Sequence, residues 1–107
     1  MKIVAVTACA GGIAHTYMAA EALKKSVKKV GDTVKIEIQG SMGIENRLSQ
    51  ADIDEADLVI FLVNIAVRDE NRFEGKVIVE MDPGKAVADG DKALLVAKQK
   101  AGFIKAS

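Results

Sequence analysis

Residues 2–23 read KIVAVTACAGGIAHTYMAAEAL. Lys2 to Thr7 is a short apolar run rich in β-branched residues, the composition of a strand. From about Thr16 the apolar residues Ala19, Ala20, Leu23, Val27 and Val30 recur at three- and four-residue spacing, the period of a helix, and Gly31 supplies a stop. Between strand and helix lies a loop of small residues that holds the only cysteine, Cys9, and the only histidine, His15.

The same alternation continues along the chain. Thr33 to Ile38 (TVKIEI) alternates polar and apolar as a half-buried or edge strand does, and QGSMG after it is a turn or loop. A short helical segment is expected around Ile44 to Leu48, and Ser49 is placed to cap another running to Ala56. Asp57 to Val63 (DLVIFLV) is continuously apolar, the pattern of a central strand buried on both faces. Asn64 to Phe73 is polar and irregular, and Lys76 to Glu80 (KVIVE) is a fourth strand. Asp82, Pro83 and Gly84 form a turn, and Leu94, Lys98, Ala101 and Ile104 trace a final helix.

Strands alternating with helices imply parallel pairing through right-handed crossovers. The expected fold is a three-layer α/β sandwich around a four-stranded parallel sheet of order 2-1-3-4. Ligands of such sheets gather at the carboxyl ends of the strands, where the strand order reverses. Cys9 falls at that position.

Composition narrows the function. With 107 residues the chain is one domain, residues 1–107, and the start Met with a complete fold favours a stand-alone subunit. Fifteen basic residues balance fifteen acidic ones, so no global field recruits nucleic acid or an anionic membrane. Lys24, Lys25, Lys28 and Lys29 read as the solvated side of a helix. The longest apolar run, Leu58 to Val63, falls far below the roughly 20 residues of a membrane span, so no membrane insertion is expected. There is no credible export signal, and a single cysteine makes no internal disulfide. A free thiol in a reducing cytoplasm is the expectation.

The loop itself points to anion chemistry. Backbone NH groups of a small-residue loop, together with the unpaired NH groups opening a helix, make a cradle for an anion. Gly11 and Gly12 let the chain turn tightly with no Cβ in the way. The same cradle favours a thiolate, so a loop that binds phosphate and activates sulfur suggests a phosphocysteine intermediate. His15 and Thr16 add hydrogen-bond donors at the helix start.

Other cysteine chemistries fit less well. Thioredoxin-type exchange needs a second thiol, a metal site cannot be built from one Cys and one His, and neither G-x-G-x-x-G nor the Walker pattern is present. No cofactor and no metal are expected. The rival reading is a small cysteine phosphatase, which uses Cys-x5-Arg-Ser/Thr in the same loop and an Asp-Pro general acid. Here the positions read Cys9, five residues, His15, Thr16, and Asp82-Pro83 follows the fourth strand. The Arg that clamps the phosphoryl group is absent from the loop, and Arg47, Arg68 and Arg72 lie in other segments. Asp82-Pro83 is read as a plain turn. A non-catalytic α/β binding module is the third reading.

These residues carry a resemblance. VTACAGGIAHTYMAAEAL (6–23) is similar to the pattern Cys-Pro-Thr-Gly-Ile-Ala-His-Thr-Tyr-Met-Ala-Ala-Glu of the IIB component of the fructose-family sugar phosphotransferase system. The likeness continues through QGSMGIENRL (39–48), DIDEADLVIF (52–61) and RFEGK (72–76), and covers about residues 2 to 80. The resemblance implies a cytoplasmic phosphoryl carrier. Cys9 would accept phosphate from a phosphohistidine of the IIA component and pass it to a fructose-type sugar held by the membrane IIC component. By position, Cys9 is the nucleophile and Ala10, Gly11, Gly12, Ile13 and Ala14 supply the NH cradle, flanked by His15 and Thr16, while Gln39 to Ser41 line the rim. Ala10 and Gly11 stand where the family usually has Pro-Thr, which frees φ and removes a hydroxyl donor. Asn64 stands where the family often has Asp.

Overall fold

The computed structural model describes residues 1–10 and 13–104. Among these residues five strands and four helices follow in the order β1 (Lys2–Ala8), α1 (Ile13–Lys29), β2 (Thr33–Gly40), β3 (Gly43–Glu45), α2 (Gln50–Glu55), β4 (Leu58–Val63), β5 (Ile78–Met81), α3 (Pro83–Ala88) and α4 (Gly90–Lys100). A 3-10 turn, Glu70–Phe73, lies between β4 and β5.

The sheet order is β3-β2-β1-β4-β5. Four strands are parallel and stand in the expected order, with β1 between β2 and β4. The fifth was not expected: β3 runs antiparallel to β2, pairing Ile38 with Glu45, Gln39 with Ile44 and Gly40 with Gly43. A helix over Ile44 to Leu48 does not form. Ser41 and Met42 close a tight hairpin, Gly43 has φ 134° and Asn46 has φ 54°, backbone values that no helix accommodates.

Strand alternation sorts the core into two faces. Ile3 and Ala5 of β1 and Leu58, Ile60 and Leu62 of β4 pack with Ala19, Leu23 and Val27 of α1 and with Ala86, Leu94 and Ala97 of α3 and α4. Val4, Val6 and Ala8, with Val59, Phe61 and Val63, face Ile53 of α2, Leu48, Val67 and Phe73. β4 is buried along its whole length, as its continuous apolar run requires. The rings of Phe61 and Phe73 meet edge to face at 5.0 Å.

The helix ends follow their chemistry. Helix α1 begins at Ile13, a few residues before the periodic signal, and ends at Lys29, so Val30 lies exposed beyond it. Ser49 caps α2 in a reciprocal box, its Oγ accepting from the Asp52 amide while the Asp52 carboxylate accepts from the Ser49 amide. Asp82 caps α3 by accepting from the Gly84 amide at 2.8 Å, with Pro83 in the first turn. Asp89 then caps α4, so the expected turn and single final helix are two capped helices, and Ile104 lies past the end of α4. Asp32 joins the amino terminus at 3.0 Å and Lys98 at 2.7 Å. These cations hold its carboxyl below the usual carboxylate range.

Candidate functional site

Cys9 directly follows β1, at the carboxyl end of the parallel sheet and just before α1. The register pairs Ala8 with Gln39 of β2 and with Val63 of β4. The residues that succeed these, Gly40 and Asn64, therefore flank Cys9, and the thiol sits where the strand order reverses.

Among the described residues, His15 and Asn64 reach the partly buried sulfur. His15, in the first turn of α1, places Nδ1 3.4 Å from Cys9 Sγ. Asn64, at the end of β4, donates from Nδ2 to Sγ at 3.4 Å. Its Oδ1 accepts from the Ala10 amide at 2.8 Å, and its own amide donates to the Ala8 carbonyl at 3.1 Å. One side chain thus holds the Ala10 backbone NH and touches the Cys9 sulfur.

The expected loop residues fall as follows. Ala10 is exposed, Ala14 is exposed on the first turn of α1, His15 is half-buried and Thr16 is buried. Ile13 opens the helix. Gly11 and Gly12, on which the expectation of a tight backbone turn rests, lie outside the described residues.

Gln39 lines no rim. It lies within β2, buried, and its side chain grips the segment after β4: Oε1 accepts from the Arg68 amide at 2.8 Å and Nε2 donates to the Arg68 carbonyl at 3.1 Å. The Arg68 guanidinium donates to the Gly40 carbonyl at 2.7 Å. Beneath this clip, Gln39 Nε2 also donates to Glu37 at 2.7 Å, and the Leu48 amide donates to Glu37 at 2.8 Å. Arg72 completes the cluster with two bonds of 2.9 Å to the Glu37 carboxylate. Burial pushes Glu37 up, but the Arg72, Gln39 and Leu48 bonds outweigh it and hold the carboxyl below its usual range.

At the start of α1, the Tyr17 hydroxyl donates to Glu45 of β3, which holds the phenol above its usual value. A groove of about 550 Å³ opens between α1 and the β2–β3 side, walled by Tyr17, Lys24, Ile36, Ile38 and Arg47, and Cys9 is not part of its lining.

The sequence places Cys9 and His15 in one loop and marks Asn64 only as a departure from the family's Asp; the structure brings both His15 and Asn64 to the Cys9 sulfur. The available signal was positional: Asn64 is the first polar residue after the central strand, at the edge where Cys9 lies. Asp82 is occupied as the cap of α3, as a plain structural role requires.

Comparisons with known proteins agree with this fold. The family model described as "PTS system, Lactose/Cellobiose specific IIB subunit" matches residues 4–95, PTS being the sugar phosphotransferase system. The "PTS system fructose-like EIIB component 2" of Escherichia coli (strain K12) is 51% identical over 90 residues, 84% of this chain and 85% of that protein. A longer relative, the "Fructose-like PTS system EIIBC component" of Escherichia coli (strain K12), is 45% identical over 94 residues, which are 86% of this chain and 20% of that one. A crystal structure of a predicted fructose-specific IIB from Escherichia coli superposes with a TM-score of 0.86 at 36% identity, covering 94% of this chain and 89% of that chain. The sugars named differ between the family description and the relatives, while the component does not. This chain belongs to the IIB family of the sugar phosphotransferase system.

Proposed function

We propose that residues 1–107 act as one cytoplasmic IIB module that carries a phosphoryl group on Cys9 between a IIA donor and a sugar at a membrane IIC component. The observation that carries this reading is the placement of Cys9 Sγ at the carboxyl edge of the sheet, half-buried, with His15 Nδ1 and Asn64 Nδ2 each 3.4 Å away. Among the described residues no helix is long and apolar enough to cross a membrane. The relative that joins B and C in one polypeptide supports IIC as the membrane partner. The fructose-like names of the relatives support a fructose-type sugar.

In the first step the Cys9 thiolate attacks phosphorus. The bond from phosphorus to the donor's imidazole nitrogen breaks as the sulfur–phosphorus bond forms, and the imidazole leaves with its electron pair. In the second step a sugar hydroxyl attacks phosphorus and gives its proton to water as the phosphorus–sulfur bond breaks and sulfur leaves as thiolate. Ala10 to Thr16 surround the transferred group, with backbone NH groups and His15 as donors to its oxygens or to sulfur. The phosphatase reading has no comparable support: His15 stands where that chemistry needs a bidentate Arg, and Asp82 is engaged as a helix cap.

The test incubates the chain with phosphoenolpyruvate, the general phosphotransferase proteins and a fructose-type IIA, and separately with p-nitrophenyl phosphate. Covalent phosphate on the chain with negligible ester hydrolysis is expected. Robust hydrolysis that depends on both Cys9 and Asp82 would overturn the carrier and establish the phosphatase.

A further inference from the structure

The three arginines, at 47, 68 and 72, differ in what neutralises them. Arg47 pairs with Asp69 at 2.9 Å and Arg72 with Glu37 at 2.9 Å. Arg68 has no acidic partner among the described residues, and its guanidinium rests on a neutral carbonyl, that of Gly40. A carbonyl fixes the side chain without cancelling its charge.

The position of this charge is set on both sides of the thiol. The segment from Asn64 to Arg68 starts beside Cys9, where Asn64 holds the Ala10 amide and touches sulfur. It ends over β2, where Gln39 grips both polar groups of the Arg68 backbone. Gly40, which receives the guanidinium, is the residue after Gln39, and Cys9 is the residue after Gln39's register partner Ala8. Neighbouring strands lie about 4.8 Å apart, so the cation stands over the strand adjacent to the nucleophile. The buried Glu37 and Arg72 pair stiffens the base of this clip through Gln39.

We propose that Arg68 is the cation that answers the phosphoryl charge at Cys9. It is a positioning residue: its field draws the phosphorylated donor to the loop and stabilises the dianion once it rests on sulfur, while it exchanges no proton and forms no covalent bond. The phosphatase loop carries its Arg within Cys-x5-Arg and forks it onto the oxygens. Here the charge comes from the segment after β4 and stands beside the loop, which raises the local potential without that fork. This inference rests on the carrier reading of Cys9.

The test measures the second-order rate of Cys9 phosphorylation by phosphorylated fructose-type IIA for the unmodified chain, Arg68→Gln and Arg68→Lys, together with the thermal midpoint of each. Arg68→Gln is expected to be slower by about tenfold in about 0.01 M salt, and the gap to close to within about twofold in about 1 M salt, where the Debye length is about 3 Å. Arg68→Lys keeps the charge and is expected to recover most of the rate, with all midpoints alike. An Arg68→Gln chain that charges at the unmodified rate overturns the proposal. So does an Arg68→Lys chain as slow as Arg68→Gln, which makes Arg68 a brace rather than a charge. Absence of phosphate on Cys9 in the unmodified chain removes the carrier reading and this inference together, whereas uptake on Cys9 indifferent to Arg68 overturns the inference alone.

Discussion

Arg72 and Glu37 meet fork to fork, Nη1 to Oε1 and Nη2 to Oε2, each at 2.9 Å, with the carboxylate fully buried in β2 and the guanidinium close to the Phe73 ring. The pair ties the 3-10 turn to the sheet. Through Gln39 it supports the backbone of Arg68, and so the segment whose other end, Asn64, lies on Cys9.

Arg72→Met leaves a carboxylate buried without its cation, and is expected to lower the unfolding free energy by about 3 to 5 kcal/mol in urea titration. Adding Glu37→Leu is expected to restore part of that loss, because a buried charge disappears with its partner. A double variant no more stable than Arg72→Met would contradict this. The same pair sets an acid limit. Since the folded carboxyl of Glu37 lies below its unfolded value, its contribution is complete above about pH 4.3 and is lost as pH falls through the folded value. Arg72→Met is expected to remove that segment of the pH–stability curve.

Asn64 makes two contacts that a pair of variants separates. Asn64→Asp keeps the oxygen that accepts from the Ala10 amide and loses the donor to sulfur, whereas Asn64→Ala loses both. The family pattern often carries Asp here, so the Ala10 contact is the one expected to matter more. Phosphate uptake is expected to slow roughly tenfold in Asn64→Ala and clearly less in Asn64→Asp. Equal slowing in the two would shift the weight to the sulfur contact.

Thr7 is fully buried at the end of β1, and its Oγ1 has no hydrogen-bond partner among the described residues. An unsatisfied buried hydroxyl costs about 1 to 3 kcal/mol. Thr7→Val fills the same space without the polar atom and is expected to raise the urea midpoint, with a gain of about 1 kcal/mol. A lowered midpoint would mean that the hydroxyl is in use.

Much of this was legible because the signals are local. The run of Leu58 to Val63 marks a strand covered on both faces, the spacing of Ala19, Leu23 and Val27 marks the buried stripe of α1, and Ser49 with Asp52 marks a helix start. Cys9 was placed by topology, since the end of the first strand in such a sheet is also its switch point. Three features were not legible. β3 is three residues long, too short for any period to register. Glu37 sits at a polar position of an alternating strand and reads as solvent-facing, yet it is buried because Arg72, 35 residues later, covers it. Arg68 falls in a segment with no regular pattern, and only the path of that segment over the strand ends brings it to β2 beside Cys9.

Mass mapping of the phosphorylated chain locates the transferred group. After incubation with phosphoenolpyruvate, the general phosphotransferase proteins and a fructose-type IIA, the phosphate is expected on the peptide bearing Cys9, attached to sulfur, and Cys9→Ser is expected to accept none at a comparable rate. Phosphate on His15, or a Cys9→Ser chain charged at the normal rate, would contradict Cys9 as the carrier.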